Sequence, residues 1–98
     1  MNLMVKSRHL LSNKGYECEH RGLGKPAWGD LLCWDGRNRR FVVVWITTQK
    51  EAASVWDDIL SDDLLRAMLT HKRGSGAMAG IVLVWQGKRC EMRSVRYE

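Results

Sequence analysis

The chain has 98 residues, 45% of them hydrophobic and 28% charged, with a formal charge of +5. These values suit a single globular domain covering residues 1–98, and no repeat, low-complexity tract or linker divides it. No apolar run reaches the roughly 18 residues of a membrane span. MNLMVKSRHLL also lacks the apolar length and small-residue cleavage site of a signal peptide, so a cytoplasmic protein without a membrane partner is expected.

The first expected element is a helix over Asn2–Asn13. Leu3, Met4, Leu10 and Leu11 share a face there, and Gly15 stands just past the end. Tyr16–His20 reads as a short strand. Arg21–Trp28 holds two of the nine glycines and the one proline, so it reads as a loop. Asp30–Trp34 is the next strand, and Asp35-Gly36-Arg37-Asn38 has turn chemistry. Arg39–Thr48 follows, continuously apolar from Phe41 to Ile46, as expected of a strand buried on both faces at the centre of a sheet.

A helical segment covers Ser54–Arg73. Ser54 or Ser61 stands as its cap, with Asp62 and Asp63 in a first turn and His71, Lys72 and Arg73 in a last turn before Gly74. Ser75–Ala79 is a loop, Gly80–Trp85 a buried strand, and Arg89–Tyr97 a charged edge strand. The order αβββαββ gives an α/β domain: one central mixed sheet flanked by helices. The strand–helix–strand unit from Arg39 to Trp85 is expected to join parallel strands by a right-handed crossover.

Charge is unevenly placed. Residues 51–63 hold five acids (Glu51, Asp57, Asp58, Asp62, Asp63) and no base, and the rest of the chain holds all sixteen bases against six acids. A basic surface of this kind suits a polyanion and salt-dependent phosphate contacts. Acids at the start of a helix and bases at its end also satisfy the helix dipole with no partner at all.

The three cysteines, Cys18, Cys33 and Cys90, are odd in number and have no Cys-x-x-Cys spacing. That argues against a disulfide framework or a zinc site. They are expected to be reduced, with Cys18 and Cys33 acting as small buried hydrophobes. His9, His20 and His71 are scattered without metal-ligand spacing. GLGKPAWG lacks the Gly-Lys-Ser/Thr of a phosphate-binding loop. Of the five tryptophans, Trp45 and Trp85 are expected in the core, on neighbouring strands. Trp28 lies near Lys25, and Trp34 precedes the basic hairpin Arg37, Arg39 and Arg40. Each is placed either to stack on an unpaired base or to cover the sheet.

Four stretches, LLSNKGYECE, GKPAWGDLL, FVVVWITTQK and GIVLVW, together resemble the PD-(D/E)xK restriction-endonuclease-like superfamily. Their order and spacing are similar to those of the archaeal Holliday junction resolvases over Leu10–Val84. The resemblance implies a helix, a hairpin carrying Asp and then Glu-x-Lys, and a further helix and strand. In that family the Asp and Glu hold a magnesium ion that polarises the scissile phosphate, and the Lys steadies developing charge. Asp30 matches the Asp, but Val44 and Ile46 stand where the Glu and Lys belong, and the first helix has no acid. Mg²⁺ takes hard oxygen ligands, and Val and Ile offer none.

Three readings follow. The first is a non-catalytic nuclease-fold domain, without cofactor, that binds nucleic acid backbone through Arg21, Lys25, Trp28, Arg37, Arg39 and Arg40. The second is an interaction module, most simply a homodimer formed through the Arg89–Tyr97 edge. The third is an active Mg²⁺-dependent nuclease whose site has migrated to Glu19, Asp30 and Lys50, with Asp30 as the metal ligand. The shortness of a chain of this type also points, by analogy, to a phage or mobile-element origin.

Overall fold

The computed structural model describes residues 2–20, 29–70 and 78–97. Helix α1 covers Leu3–Asn13. Asn2 caps it, its side-chain oxygen accepting from the Val5 amide at 2.9 Å. The strands are β1 (Tyr16–His20), β2 (Leu31–Asp35), β3 (Arg40–Thr48), β4 (Ala79–Gln86) and β5 (Arg89–Ser94). Helices α2 (Ala52–Ser61) and α3 (Asp63–Thr70) lie between β3 and β4.

The strands lie in the sheet in chain order, β1-β2-β3-β4-β5. Every neighbouring pair is antiparallel except β3 and β4, which are parallel. The mixed sheet flanked by helices is the α/β architecture expected from the sequence, and β3 occupies its centre. A parallel pair needs a crossover connection, which α2 and α3 supply.

Alternation along β3 divides the core in two. Val42 and Val44 face α1 and pack with Leu11, Leu31, Cys33, Ile81 and Leu83. Val43 and Trp45 face the other side and pack with Ala52 and Ile59 of α2 and Leu65 of α3. The continuous apolar run of β3 thus feeds two layers at once. Trp45 and Trp85 are both buried, as expected, but on opposite faces. The Trp85 indole N–H donates to the hydroxyl of Ser7 on α1 at 2.9 Å. Ser7 is wholly buried, and nothing in the helical pattern marked it, because its partner is 78 residues away.

Two expectations are corrected. The single helical segment breaks at Asp62, whose backbone is extended (φ −87, ψ 106). Its carboxylate accepts from the Leu65 amide at 2.9 Å, so Asp62 caps α3 and does not sit in a first turn. A short acidic side chain competes well at a cap and poorly inside a helix. The proposed last turn, with His71, Lys72 and Arg73, lies outside the described residues.

The second correction concerns the cysteines. Cys18 and Cys33 are direct cross-strand partners in the β1–β2 register, and they form a disulfide with Cα atoms 3.9 Å apart. Only the register brings them together; their separation of 15 residues carries no such signal. Closing a loop of about this length stabilises a fold by about 3 kcal/mol in the chain-entropy account. Disulfides persist in oxidising compartments, so the cysteines no longer support a cytoplasmic location. Among the described residues no helix is long and apolar enough to cross a membrane. Cys90 is a free, half-buried thiol, and burial pushes its pKa up.

Candidate nucleic-acid interface

The site expected from the nuclease resemblance centres on Asp30, Val44 and Ile46. Val44 is fully buried, and Ile46 is half-buried against the same layer. Asp30 does not begin β2; it precedes it. Its amide donates to the Val44 carbonyl at 2.8 Å, and its carboxylate Oδ2 accepts from the Ile46 amide at 2.7 Å. Asp30 therefore extends the β2–β3 ladder by one rung, using its side chain as the acceptor.

Gly29 makes this approach possible. Its φ is +86, and a Cβ there would run into Val43 Cγ1 and lie 3.3 Å from the Val44 carbonyl oxygen. Because one carboxylate oxygen serves a backbone donor, Asp30→Ala is expected to cost about 1–3 kcal/mol by leaving the Ile46 amide unpaired. Asp30→Asn keeps an acceptor and is expected to cost well under half as much in urea denaturation. Equal losses for the two variants would remove this structural role.

Of the residues of the migrated site, Glu19 is on β1, Asp30 just precedes β2 and Lys50 follows the end of β3. Lys50 is exposed in the turn that follows β3, two residues past its last residue Thr48. Glu19 is exposed, and as the neighbour of Cys18 it faces away from the α1 layer. Among the described residues no group of three His, Cys, Asp or Glu side chains is placed to hold a metal ion.

Of the residues singled out for nucleic-acid binding, Arg21, Lys25 and Trp28 lie outside the described residues. Arg37 and Arg39 are exposed in the β2–β3 turn. Arg39 takes a positive φ of 53, which lets the chain enter β3. Arg40 is different: its Nε is 3.7 Å from Asp35 Oδ2, so much of its charge is spent inside the turn.

Asp35 organises that turn. It is buried and accepts from the Arg37 amide at 3.1 Å and the Asn38 side-chain amide at 2.7 Å. The Asn38 side chain is the chief cause that holds its pKa below the ordinary value, with the Asn38 and Arg37 amides and the Arg40 charge adding to it against burial. A depressed acid contributes stability above the ordinary carboxylate range, and that contribution is lost as pH falls through the folded-state value. Trp34 and Phe41 stack edge to face beside the turn, with ring centroids 4.9 Å apart. Trp34 is half-buried and Phe41 is 47% exposed.

The charge map follows the two layers. From Asn2 to Lys14 the chain carries Lys6, Arg8 and Lys14 and no acid, and α1 covers one face of the sheet. Arg8, His9 and Lys14 are exposed. The acids Glu51, Asp57, Asp58, Asp62 and Asp63 lie on or beside α2 and α3, which cover the other face. The protein thus presents a basic side and an acidic side, with the sheet between them. The sequence showed the segregation along the chain; the crossover turned it into opposite faces.

These features define a single α/β domain with a five-stranded mixed sheet and a basic helical face. Comparison with protein-family models, curated proteins and solved structures gives no match for the chain.

Proposed function

We propose that this protein is a non-catalytic domain of nuclease-like build that binds the backbone of a nucleic acid through its α1 face and the β2–β3 turn. The observation that carries the proposal is the placement of charge. Lys6 and Arg8 stand on α1 and Lys14 at its C-cap, with no acid among them, and the acidic cluster lies behind the sheet. A polyanion approaching from the α1 side meets these bases with Glu17 of the α1–β1 cleft as the neighbouring acid, an excess of positive charge. Bases spread over a helix and a turn contact phosphates and do not read sequence.

The non-catalytic part rests on donor chemistry. The two positions facing Asp30 from β3 in the family pattern are Val44 and Ile46, which offer no oxygen to Mg²⁺. Asp30 itself serves a backbone amide. We expect no Mg²⁺-dependent cleavage of duplex, branched or single-stranded DNA.

Fluorescence anisotropy with labelled single-stranded and duplex oligonucleotides over a salt series tests the binding. Affinity should be sequence-tolerant and fall steeply with salt. The quadruple change Arg8→Gln, Lys14→Gln, Arg37→Gln, Arg39→Gln should weaken binding and flatten the salt slope by up to about four units. Changing Asp57 and Asp58 to Asn, on the opposite face, should leave the slope unchanged. Unchanged affinity in the quadruple variant would overturn the assignment.

A further inference from the structure

A cleft of about 610 Å³ opens between α1 and β1, lined among others by Arg8, His9, Tyr16 and Cys18. One wall of it is the disulfide. Cys18 is half-buried and lines the cleft, whereas Cys33, with 1% of its surface exposed, does not. Of the two half-cystines, Cys18 is thus the one that borders the cleft. The Arg8 guanidinium lines the same cleft, its Nη2 donating to the Cys18 backbone carbonyl at 3.3 Å. Glu17 is the acid among the lining residues, set against Arg8 and His9.

The third cysteine cannot reach this bond. Cys90 is on β5, and Cys33 is on β2. Three strand spacings separate them, about 14 Å. Burial also raises the Cys90 pKa, which disfavours its thiolate. Any thiol that opens the disulfide comes from outside, and the cleft leads it to Cys18.

We propose that this cleft admits a small anionic thiol that opens the disulfide by exchange at Cys18. The external thiolate attacks Cys18 Sγ, and a new sulfur–sulfur bond forms there. The Cys18–Cys33 bond breaks, and Cys33 leaves as a thiolate that takes a proton from water. A second equivalent of the thiol attacks the mixed disulfide, leaving Cys18 as a thiol and the small thiol as its own disulfide. Exchange rate depends on which sulfur is accessible, and a cation lining the cleft favours an anionic attacker. The inference stands apart from the nucleic-acid reading and needs no nucleic acid in its test.

The experiment treats the intact protein with reduced glutathione, and separately with uncharged 2-mercaptoethanol. Each sample is quenched in acid, alkylated and mapped by peptide mass spectrometry. The first adduct should appear on Cys18 and the first alkylation beyond that of the already free Cys90 on Cys33, with native circular dichroism retained. Arg8→Gln should slow the glutathione reaction several-fold and leave the 2-mercaptoethanol rate unchanged. In the variant Cys33→Ser, glutathione disulfide should load the free Cys18 to the same mixed disulfide. A first adduct on Cys33, equal slowing of both thiols, or opening that accelerates in step with global unfolding in urea would each overturn the proposal.

Discussion

Val44→Glu is expected to leave the protein largely unfolded at room temperature. Val44 has no exposed surface. In the sheet it lies between Leu31 on β2 and Ile81 on β4, and Leu11 of α1 belongs to the same layer. The substitution removes apolar burial of about 1.5–3 kcal/mol and places a carboxyl group among hydrocarbon side chains. An unpaired polar group there costs several kcal/mol more, even if it stays protonated. The sum, on the order of 4–7 kcal/mol, rivals the whole stability of a small domain.

Val44→Ala, which loses only volume, should cost about 1–3 kcal/mol and keep the fold. Ile46→Lys should cost less than Val44→Glu, because Ile46 is half-buried and a long side chain can carry its charge out to water. Urea denaturation followed by tryptophan fluorescence measures all three. A Val44→Glu protein as stable as the parent would place Val44 beside solvent and reopen the metal site.

Trp45→Ala should be the most damaging truncation on the opposite face. Trp45 is 2% exposed and belongs to the layer of Ile59, Leu65, Val82 and Val84. Loss of so large a buried side chain costs about 3–5 kcal/mol. Gly80 is the other half of this contact. A Cβ on Gly80 would lie 3.0 Å from Trp45 Cζ3, 3.0 Å from Leu69 Cδ1 and 3.1 Å from Val95 Cβ. Gly80→Ala should therefore destabilise by about 1–3 kcal/mol through overpacking. Combined with Trp45→Phe, its cost should fall below the sum of the two single changes, because the smaller ring makes room. Strict additivity would show that the ring does not rest on the glycine.

The C-terminal segment closes the same layer. The Tyr97 hydroxyl donates to the Ile59 carbonyl at 3.0 Å, and Arg66 sits 5.7 Å from the Tyr97 ring centroid. Burial is the main cause that raises the Tyr97 pKa. The β5 strand was legible as a charged edge, but it ends at Ser94, and after a last backbone bond from the Val95 amide to the Gly80 carbonyl at 2.8 Å the chain packs against α2 and α3. No periodicity in Val95–Tyr97 announces that, because the contact depends on where the helices already lie.

The sequence by itself determined the α/β class, the buried central strand and the parallel β3–β4 pair. Each of these follows from short-range signals: the unbroken run Phe41–Ile46, the turn residues Asp35–Asn38, and a helical stretch long enough to force a crossover. It also determined that Val44 and Ile46 cannot ligate magnesium, since that is a property of the side chains. The tertiary structure alone decided three further things. Register set Cys18 against Cys33 and made a disulfide of two residues read as reduced. The approach of Gly29 to β3 gave Asp30 a backbone amide to hold. The placement of α1 and of α2 with α3 on opposite faces turned a charge pattern along the chain into a basic side and an acidic side. All three depend on distances between segments remote in sequence, and those are fixed only when the sheet closes and the two cores fill.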